Sequence, residues 1–305
     1  MKQARKFAWF VAVVLALLVA VFIGFYERPV DYFDGLLDLQ MHLSGAHSRM
    51  VTVNGIHIRY WVRGATSGEP VVLVHGLGGR SEDWHNLAPY IVAAGFRVYM
   101  PDLPGYGRSD KPKDFSYSIA DEADAVVGFM NAVGLKQVDL GGHSMGGWIV
   151  QHIAFEHPDR VKKLMLFDSA GLADRPTWDT ALFTPTTPGE LNQLDSLLMP
   201  HPPRVPAFIA RDILRISRSD SWVIHRAMDA MLSGQAVTDS ELPQLKMPVL
   251  IVWGSEDHIV PLADGEKMHQ LIPQSQLDVV QGCGHLAPVQ CTSRIGPVVD
   301  AFLQR

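Results

Sequence analysis

Gly141-Gly142-His143-Ser144-Met145-Gly146-Gly147 decides how this chain is read. An apolar run, Gln137-Val138-Asp139-Leu140, leads into it, and a helical pattern from Trp148 to Phe155 leads out. Gly142-x-Ser144-x-Gly146 between a strand and a helix is the pattern of a nucleophile elbow. A serine at the tip of so tight a turn occupies strained backbone, and side chains two positions to either side would collide with strand or helix. Glycines remove that collision. The turn lifts Oγ clear of the sheet and points the amide of Met145 toward an incoming carbonyl oxygen. The bland alternative is a glycine-rich turn with an incidental serine. To be more, the rest of the chain has to supply a base, an acid and a second oxyanion donor in a fixed order.

The base is expected late in the chain, and His285 lies in Gln281-Gly282-Cys283-Gly284-His285, directly after the last apolar run. With 13 histidines present, a histidine alone means little. His143 adjoins the serine, but neighbours at a sharp turn point apart, so it reads as packing beneath the elbow. His75, His85 and His152 need not converge. The acid must orient the imidazole and stabilise its charged form. Asp257, in Gly254-Ser255-Glu256-Asp257, fits the order Ser144…Asp257…His285. Glu256 and Asp168 are the competing carboxylates. The second oxyanion amide is expected from Leu77, in His75-Gly76-Leu77-Gly78-Gly79, to face the amide of Met145. That cluster has neither GxGxxG nor GKS/GKT, which argues against a phosphate loop.

Around these residues, Asn54-Gly55 inside the alternating run Met50–Val62 predicts a hairpin. From Pro70, apolar strands alternate with helices, which predicts a mostly parallel sheet covered on both faces. The strands read are Val71–Val74, Arg97–Met100, Val138–Leu140, Lys163–Phe167, Val249–Trp253 and Leu277–Val280. Helices are expected around Trp84–Ala94, Ile119–Val133, Met145–Glu156, Ala263–Leu271 and Arg294–Leu303. About 75 residues, 172–246, separate two strands where a βα unit needs about 30. The insert is proline-rich and carries amphipathic stretches at Phe208–Ile216 and Trp222–Leu232, so a helical cap over the substrate edge of the sheet is expected. Its apolar residues, among them Phe183, Leu198 and Phe208, suit lipid, although many will form the cap's own core.

The 305-residue chain has a formal net charge of −6 and no basic cluster beyond its first residues, so nothing points to nucleic acid. Phe7 to Tyr26 runs about 20 residues without a charge, roughly 30 Å of helix, one hydrocarbon thickness. It lacks an A-x-A-like cleavage site, which favours an uncleaved anchor over a signal peptide. Lys2, Arg5 and Lys6 on one flank, with Glu27, Asp31 and Asp34 on the other, place the N-terminus in the cytoplasm. The expected division is residues 1–28 as anchor, 29–48 as juxtamembrane connector with a short helix near Leu36–Leu43, 49–171 and 247–305 as the α/β body, and 172–246 as the cap. The two cysteines, Cys283 and Cys291, are equally readable as a pair in an oxidising compartment or as two thiols. Homodimerisation stays open, without a GxxxG motif to support it.

Taken together, five motifs in order resemble the α/β-hydrolase superfamily over roughly residues 50–305. They are His75–Gly79, Asp102-Leu103-Pro104-Gly105-Tyr106-Gly107-Arg108-Ser109, Gly142–Gly146, Gly254…Asp257 and Gly284-His285. The anchor, the Gly55-x-x-x-x-Tyr60 hairpin and the proline-rich cap are similar, more narrowly, to bacterial membrane-associated lipases and esterases of the family V lipase type. The resemblance implies a serine hydrolase for acyl esters, including glycerolipids, on the periplasmic side of a bacterial inner membrane. Ser144, His285 and Asp257 would be its triad, Leu77 and Met145 its oxyanion donors, and no metal or organic cofactor is required. Many relatives carry a proline two positions after the histidine and an acidic residue soon after. Here the run is His285-Leu286-Ala287-Pro288-Val289-Gln290, which implies a shifted helix start. An aspartate nucleophile, as in epoxide hydrolases and haloalkane dehalogenases, is contradicted by Ser144. Carbon–carbon bond hydrolases share Ser-Met-Gly-Gly but typically have asparagine before the serine and tryptophan after the histidine, where this chain has His143 and Leu286. They are the alternative enzyme class. A membrane-tethered binding protein with an idle triad is the non-enzyme alternative.

Overall fold

The computed structural model describes residues 2–173 and 176–305; Met1 of the expected anchor and Asp174 and Arg175 of the expected cap lie outside them. Two helices come first, α1 (Lys2–Glu27) and α2 (Pro29–Leu43). The sheet then alternates with helices: β1 (His47–Val53), β2 (Ile56–Arg63), β3 (Pro70–Val74), α3 (Ala88–Ala93), β4 (Arg97–Pro101), α4 (Ile119–Ala132), β5 (Val138–His143), α5 (Met145–Glu156) and β6 (Val161–Phe167). After β6 come α6 (Pro188–Leu198) and α7 (Ala207–Leu232). The chain closes with β7 (Val249–Gly254), α8 (Leu262–Leu271), β8 (Ser275–Val280), α9 (Ala287–Gln290) and α10 (Thr292–Leu303).

The eight strands form one sheet in the order β1-β2-β4-β3-β5-β6-β7-β8, with β2 antiparallel to both neighbours and the other pairs parallel. This is the expected mostly parallel sheet, and its hairpin turns at Asn54 and Gly55, both at positive φ. Period-two alternation divides the core. Val72, Val74, Leu140, Leu164, Leu166 and Ile251 pack on one face, against α4 and α5. Val71, Leu73, Met165, Phe167 and Val252 pack on the other, against α3 and α10. Every parallel strand ends at the same edge. The loops that follow β3, β5, β6, β7 and β8 there carry Leu77, Ser144, Asp168, Asp257 and His285.

Several elements differ from the sequence reading. The expected helix Trp84–Ala94 is a 3₁₀ turn at Ser81–Trp84 followed by α3, because Pro89 suits only a first helical turn. The two cap stretches are one unbroken 26-residue helix, α7. The helix after His285 starts as the one-turn α9, with Pro288 in its first turn, before α10. The juxtamembrane helix is longer than read and begins at Pro29.

α1 holds a stretch, Arg5–Glu27, long and apolar enough to cross a membrane, with none of that apolar window buried inside the protein. It breaks at Arg28–Pro29, where the chain folds back far enough for the Tyr32 hydroxyl to donate to the Val21 carbonyl at 3.4 Å. Tyr26 stacks on Phe208 of α7 at 5.3 Å, Arg211 donates to the Tyr26 carbonyl at 2.9 Å, and the Val30 amide donates to buried Asp212 at 3.1 Å. One face of α2 then pairs with the body through Asp34–Arg80 at 2.7 Å and Asp38–Arg108 at 2.6 Å.

Candidate active site

Ser144 sits between β5 and α5 with φ 54° and ψ −120°, a strained conformation for a non-glycine residue. The flanking glycines explain how the turn closes. A Cβ on Gly142 would fall on the Gly146 backbone, and one on Gly146 would fall on the carbonyls of Val74 and His75. The elbow is pinned to β6 by the Ser144 amide donating to Phe167 O at 3.0 Å and by the Ala170 amide donating to Ser144 O at 3.1 Å.

The late histidine and the favoured acid meet the serine. Ser144 Oγ lies 2.9 Å from His285 Nε2, and His285 Nδ1 lies 2.8 Å from Asp257 Oδ2. The other carboxylate oxygen, Asp257 Oδ1, accepts from the amides of Ile259 at 2.8 Å and Val260 at 2.9 Å. With these donors fixing the carboxylate, Nδ1 carries the ring proton and Nε2 is left to accept from the serine hydroxyl. All three side chains are buried. Glu256, exposed, is turned away from this chain of contacts and its amide donates to Cys283 O at 2.8 Å.

Met145 is the first residue of α5, so its amide is among those with no acceptor inside the helix. Leu77 lies in a turn closed by the Gly79 amide on Gly76 O at 3.0 Å, with Gly78 at φ 70°. Gly76 packs so closely on His143 and Ser144 that a Cβ would lie 3.1 Å from each side chain. The loop after β3 therefore lies directly against the elbow.

Two histidines prove more involved than the sequence reading allowed. His143 packs under the elbow as expected, but its Nε2–H also donates to the His285 carbonyl at 2.7 Å. Burial first, and the neighbouring His285 second, lower its pKa to about 3, so the ring is neutral. His75 accepts from the Leu103 amide at Nε2, 3.0 Å away, and contacts Gly76 O through Nδ1 at 2.9 Å. It ties the loop after β3 to the loop after β4. Its place at the head of the His75–Gly79 motif was the available signal.

The other competing carboxylate, Asp168, follows β6 in a fully buried position. Its side chain accepts from the Gly254 amide at 2.7 Å, and it is Asp257 that holds His285 Nδ1. The loop bearing His285 is closed by a disulfide between Cys283 and Cys291, with Cα atoms 6.5 Å apart, which decides a pairing the sequence left open. Arg294 lies across both sulfurs, 2.6 Å from Cys283 Sγ and 3.1 Å from Cys291 Sγ.

Ser144 opens into a cavity of about 510 Å³, within the range typical of small-molecule sites. Its walls are largely apolar: Leu77 and Trp148 on the body, Trp178 and Phe183 before α6, and Met228 and Met231 from α7. Leu182 and Leu197, two further apolar residues of the insert, line a separate shallow groove beside Trp178, and Phe208 meets the first helix instead.

Comparison with known proteins agrees with this architecture. Residues 69–228 and 232–290 match the profile of the alpha/beta hydrolase fold. Lipase 1 of Psychrobacter immobilis is 26% identical over 291 residues, spanning 90% of this chain and 88% of that protein. The 2-hydroxy-6-oxo-6-phenylhexa-2,4-dienoate hydrolase of Burkholderia cepacia is 31% identical over 269 residues, 79% of this chain and 90% of that one. Among solved structures, a bacterial membrane phospholipase A superposes with a TM-score of 0.84 at 25% identity, covering 98% of both chains. On its sheet order, its strained serine turn and these matches, the chain belongs to the α/β-hydrolase fold family.

Proposed function

We propose that the protein is a serine carboxylic ester hydrolase acting on lipid-derived acyl esters at a membrane. The observation that carries this reading is the unbroken Ser144–His285–Asp257 hydrogen-bond chain at the floor of an apolar cavity. His285 takes the Ser144 proton as Oγ attacks the ester carbonyl, and the amides of Leu77 and Met145 hold the resulting oxyanion. Collapse expels the alcohol, protonated by His285, and leaves an acyl-Ser144. Water, deprotonated by His285, then attacks that acyl group; the acid leaves and Ser144 regains its proton. Asp257 holds the imidazole in the working tautomer and balances its transient positive charge.

The lipid substrate follows from place and lining. The segment 172–246 acts as a lid over the cavity, α1 spans the bilayer from a cytoplasmic N-terminus, and residues 29–305 face the far side. The named lipase relatives and the membrane phospholipase A neighbour point the same way. Full-length protein in detergent micelles should hydrolyse a short p-nitrophenyl ester, and Ser144→Ala should lower turnover by at least about 10⁴-fold. Equal rates for the two proteins would refute the triad.

Carbon–carbon hydrolysis is the second reading, favoured by the 31% identity to a dienoate hydrolase. His143 and Leu286 depart from the asparagine and tryptophan of that class. Turnover of a vinylogous 1,5-diketone, with none of esters, would reverse the ranking.

A further inference from the structure

Between β6 and α6 the insert places one side chain in two spaces at once. Trp178 lines the apolar cavity into which Ser144 opens, and it also lines the outer groove with Leu182, Asn192, Gln193, Ser196 and Leu197. Among the described residues no other side chain belongs to both linings, so the indole is the partition between them. The groove, about 440 Å³, is nearly as large as the cavity beside it, and most of the surface it offers is apolar. Its last four lining residues share one side of α6, at i, i+1, i+4 and i+5. The Ser196 hydroxyl donates to the Asn192 carbonyl at 2.8 Å, so it is satisfied by its own helix.

The partition is held from two directions. Trp178 Nε1–H donates to the Ile259 carbonyl at 2.9 Å, and the indole lies 5.1 Å from the ring of Phe183. Ile259 is also the residue whose amide donates to Asp257 Oδ1, so the indole is registered to the backbone that holds the proposed acid. On the other side, Asp179 accepts from the Ala181 amide at 3.0 Å and caps a 3₁₀ turn at Thr180–Phe183. That turn is tied to α7 where Thr184 Oγ1 meets His225 Nε2 at 2.9 Å. The end of α6 reaches the site as well: the Leu286 amide, next to His285, donates to the Leu198 carbonyl at 3.4 Å. An indole suits such a wall, because it offers apolar surface to both spaces while a backbone carbonyl satisfies its N–H. We propose that Trp178 determines which acyl chains are taken: cavity and groove are two parts of one acyl track, and the indole is the stop between them. An acyl chain esterified to Ser144 fills the cavity up to the indole. A longer chain, once the stop is removed, continues along Leu182 and Leu197. This inference rests on the serine ester hydrolase reading and narrows its substrates to esters whose acyl chain ends at Trp178.

The experiment follows hydrolysis of p-nitrophenyl esters from butanoate to hexadecanoate by full-length protein in detergent micelles, with kcat/KM read against chain length. A methylene taken out of water typically gains about fourfold in binding. The protein should gain with each methylene until the chain reaches the indole, and lose beyond it. Trp178→Ala should move that limit to longer chains. The ratio of hexadecanoate to butanoate kcat/KM should then rise at least about tenfold, as two or more methylenes enter the groove. Adding Leu197→Asp, which puts a charge in the groove, should cancel the gain. Trp178→Phe keeps a partition without its N–H and should retain the original limit. A Trp178 that only steadies the Asp257 loop would, as alanine, lower kcat by one factor for every chain and leave the limit in place; that outcome overturns the proposal. So does a gain in Trp178→Ala that survives Leu197→Asp, because the longer chain then runs elsewhere. Should Trp178→Ala fail to fold, Trp178→Leu takes its place and is read by the same outcomes. Ser144→Ala separates the two levels: if it stays active, the triad reading fails, whereas an inactive Ser144→Ala beside an unmoved chain-length limit removes only the acyl track.

Discussion

At His143 the chain buries a titratable ring one residue before the proposed nucleophile, and that ring is neutral with a pKa of about 3. In the unfolded chain it titrates near 6.5. Above pH 6.5 both states are uncharged and the residue is neutral in its effect. As pH falls from about 6.5 toward about 3, the unfolded state takes up a proton that the native state refuses, so stability is lost across that window, by up to about 1.4 kcal/mol per pH unit. His143→Asn should flatten this slope while leaving an amide able to reach the His285 carbonyl. Urea unfolding of both proteins at pH 7 and pH 4.5 reads it, and an unchanged difference between the two pH values would contradict the assignment. The residues that meet at the elbow were legible because each follows a recognisable apolar run. The bond from His143 to the His285 carbonyl was not, since it joins positions 142 residues apart and leaves no local trace.

Among the elements, α7 departs most instructively from the sequence. Ser217-Arg218-Ser219-Asp220-Ser221 is polar all round and reads as a break between two amphipathic stretches. With neither glycine nor proline between 207 and 232, nothing forces a break, and contacts such as Ser217 Oγ to Pro185 O at 3.3 Å accommodate the polar turn. The same helix presents Asp212, nearly inaccessible to solvent, to the Val30 amide and to Arg215 Nε at 2.8 Å. This junction of α2 with α7 had no sequence signature, because it pairs a backbone amide with a residue far along the chain. Asp212→Ala removes a charged acceptor whose bonds are typically worth about 1.5–3 kcal/mol, so local opening should become at least roughly tenfold more frequent. Hydrogen exchange of peptides covering residues 28–36, in micelles, measures this; unchanged protection would show that the junction does not depend on Asp212.

For the whole molecule, the mostly parallel sheet and the position of the candidate site followed from alternating apolar runs and the motifs at their ends, whereas the strand order comes from the fold. Whether Cys283 and Cys291 pair did not, because eight residues of spacing permit either state and only the folded loop brings the sulfurs together. The disulfide now bears on topology. Such a bond persists in an oxidising compartment, which agrees with a body on the far side of the membrane from the cytoplasm. Full-length protein recovered from bacterial membranes and denatured without reductant should offer no thiol to maleimide. Two reactive thiols would contradict the proposed topology. Removing both cysteines as serine should cost about 2.5 kcal/mol in the chain-entropy account, checked by urea unfolding.

α7 also gives the molecule a frame of reference. From Phe208, stacked on Tyr26, to Met228 in the cavity wall is about 30 Å of continuous helix. One end is braced by the first two helices and the other lines the cavity into which Ser144 opens. A fragment beginning after residue 28 is then more than the same protein without a tether. It loses the Tyr26 ring and carbonyl that brace the far end of that wall, so constants measured on it are expected to differ from those of the full chain. The first helix braces the far end of the same helix that lines the cavity.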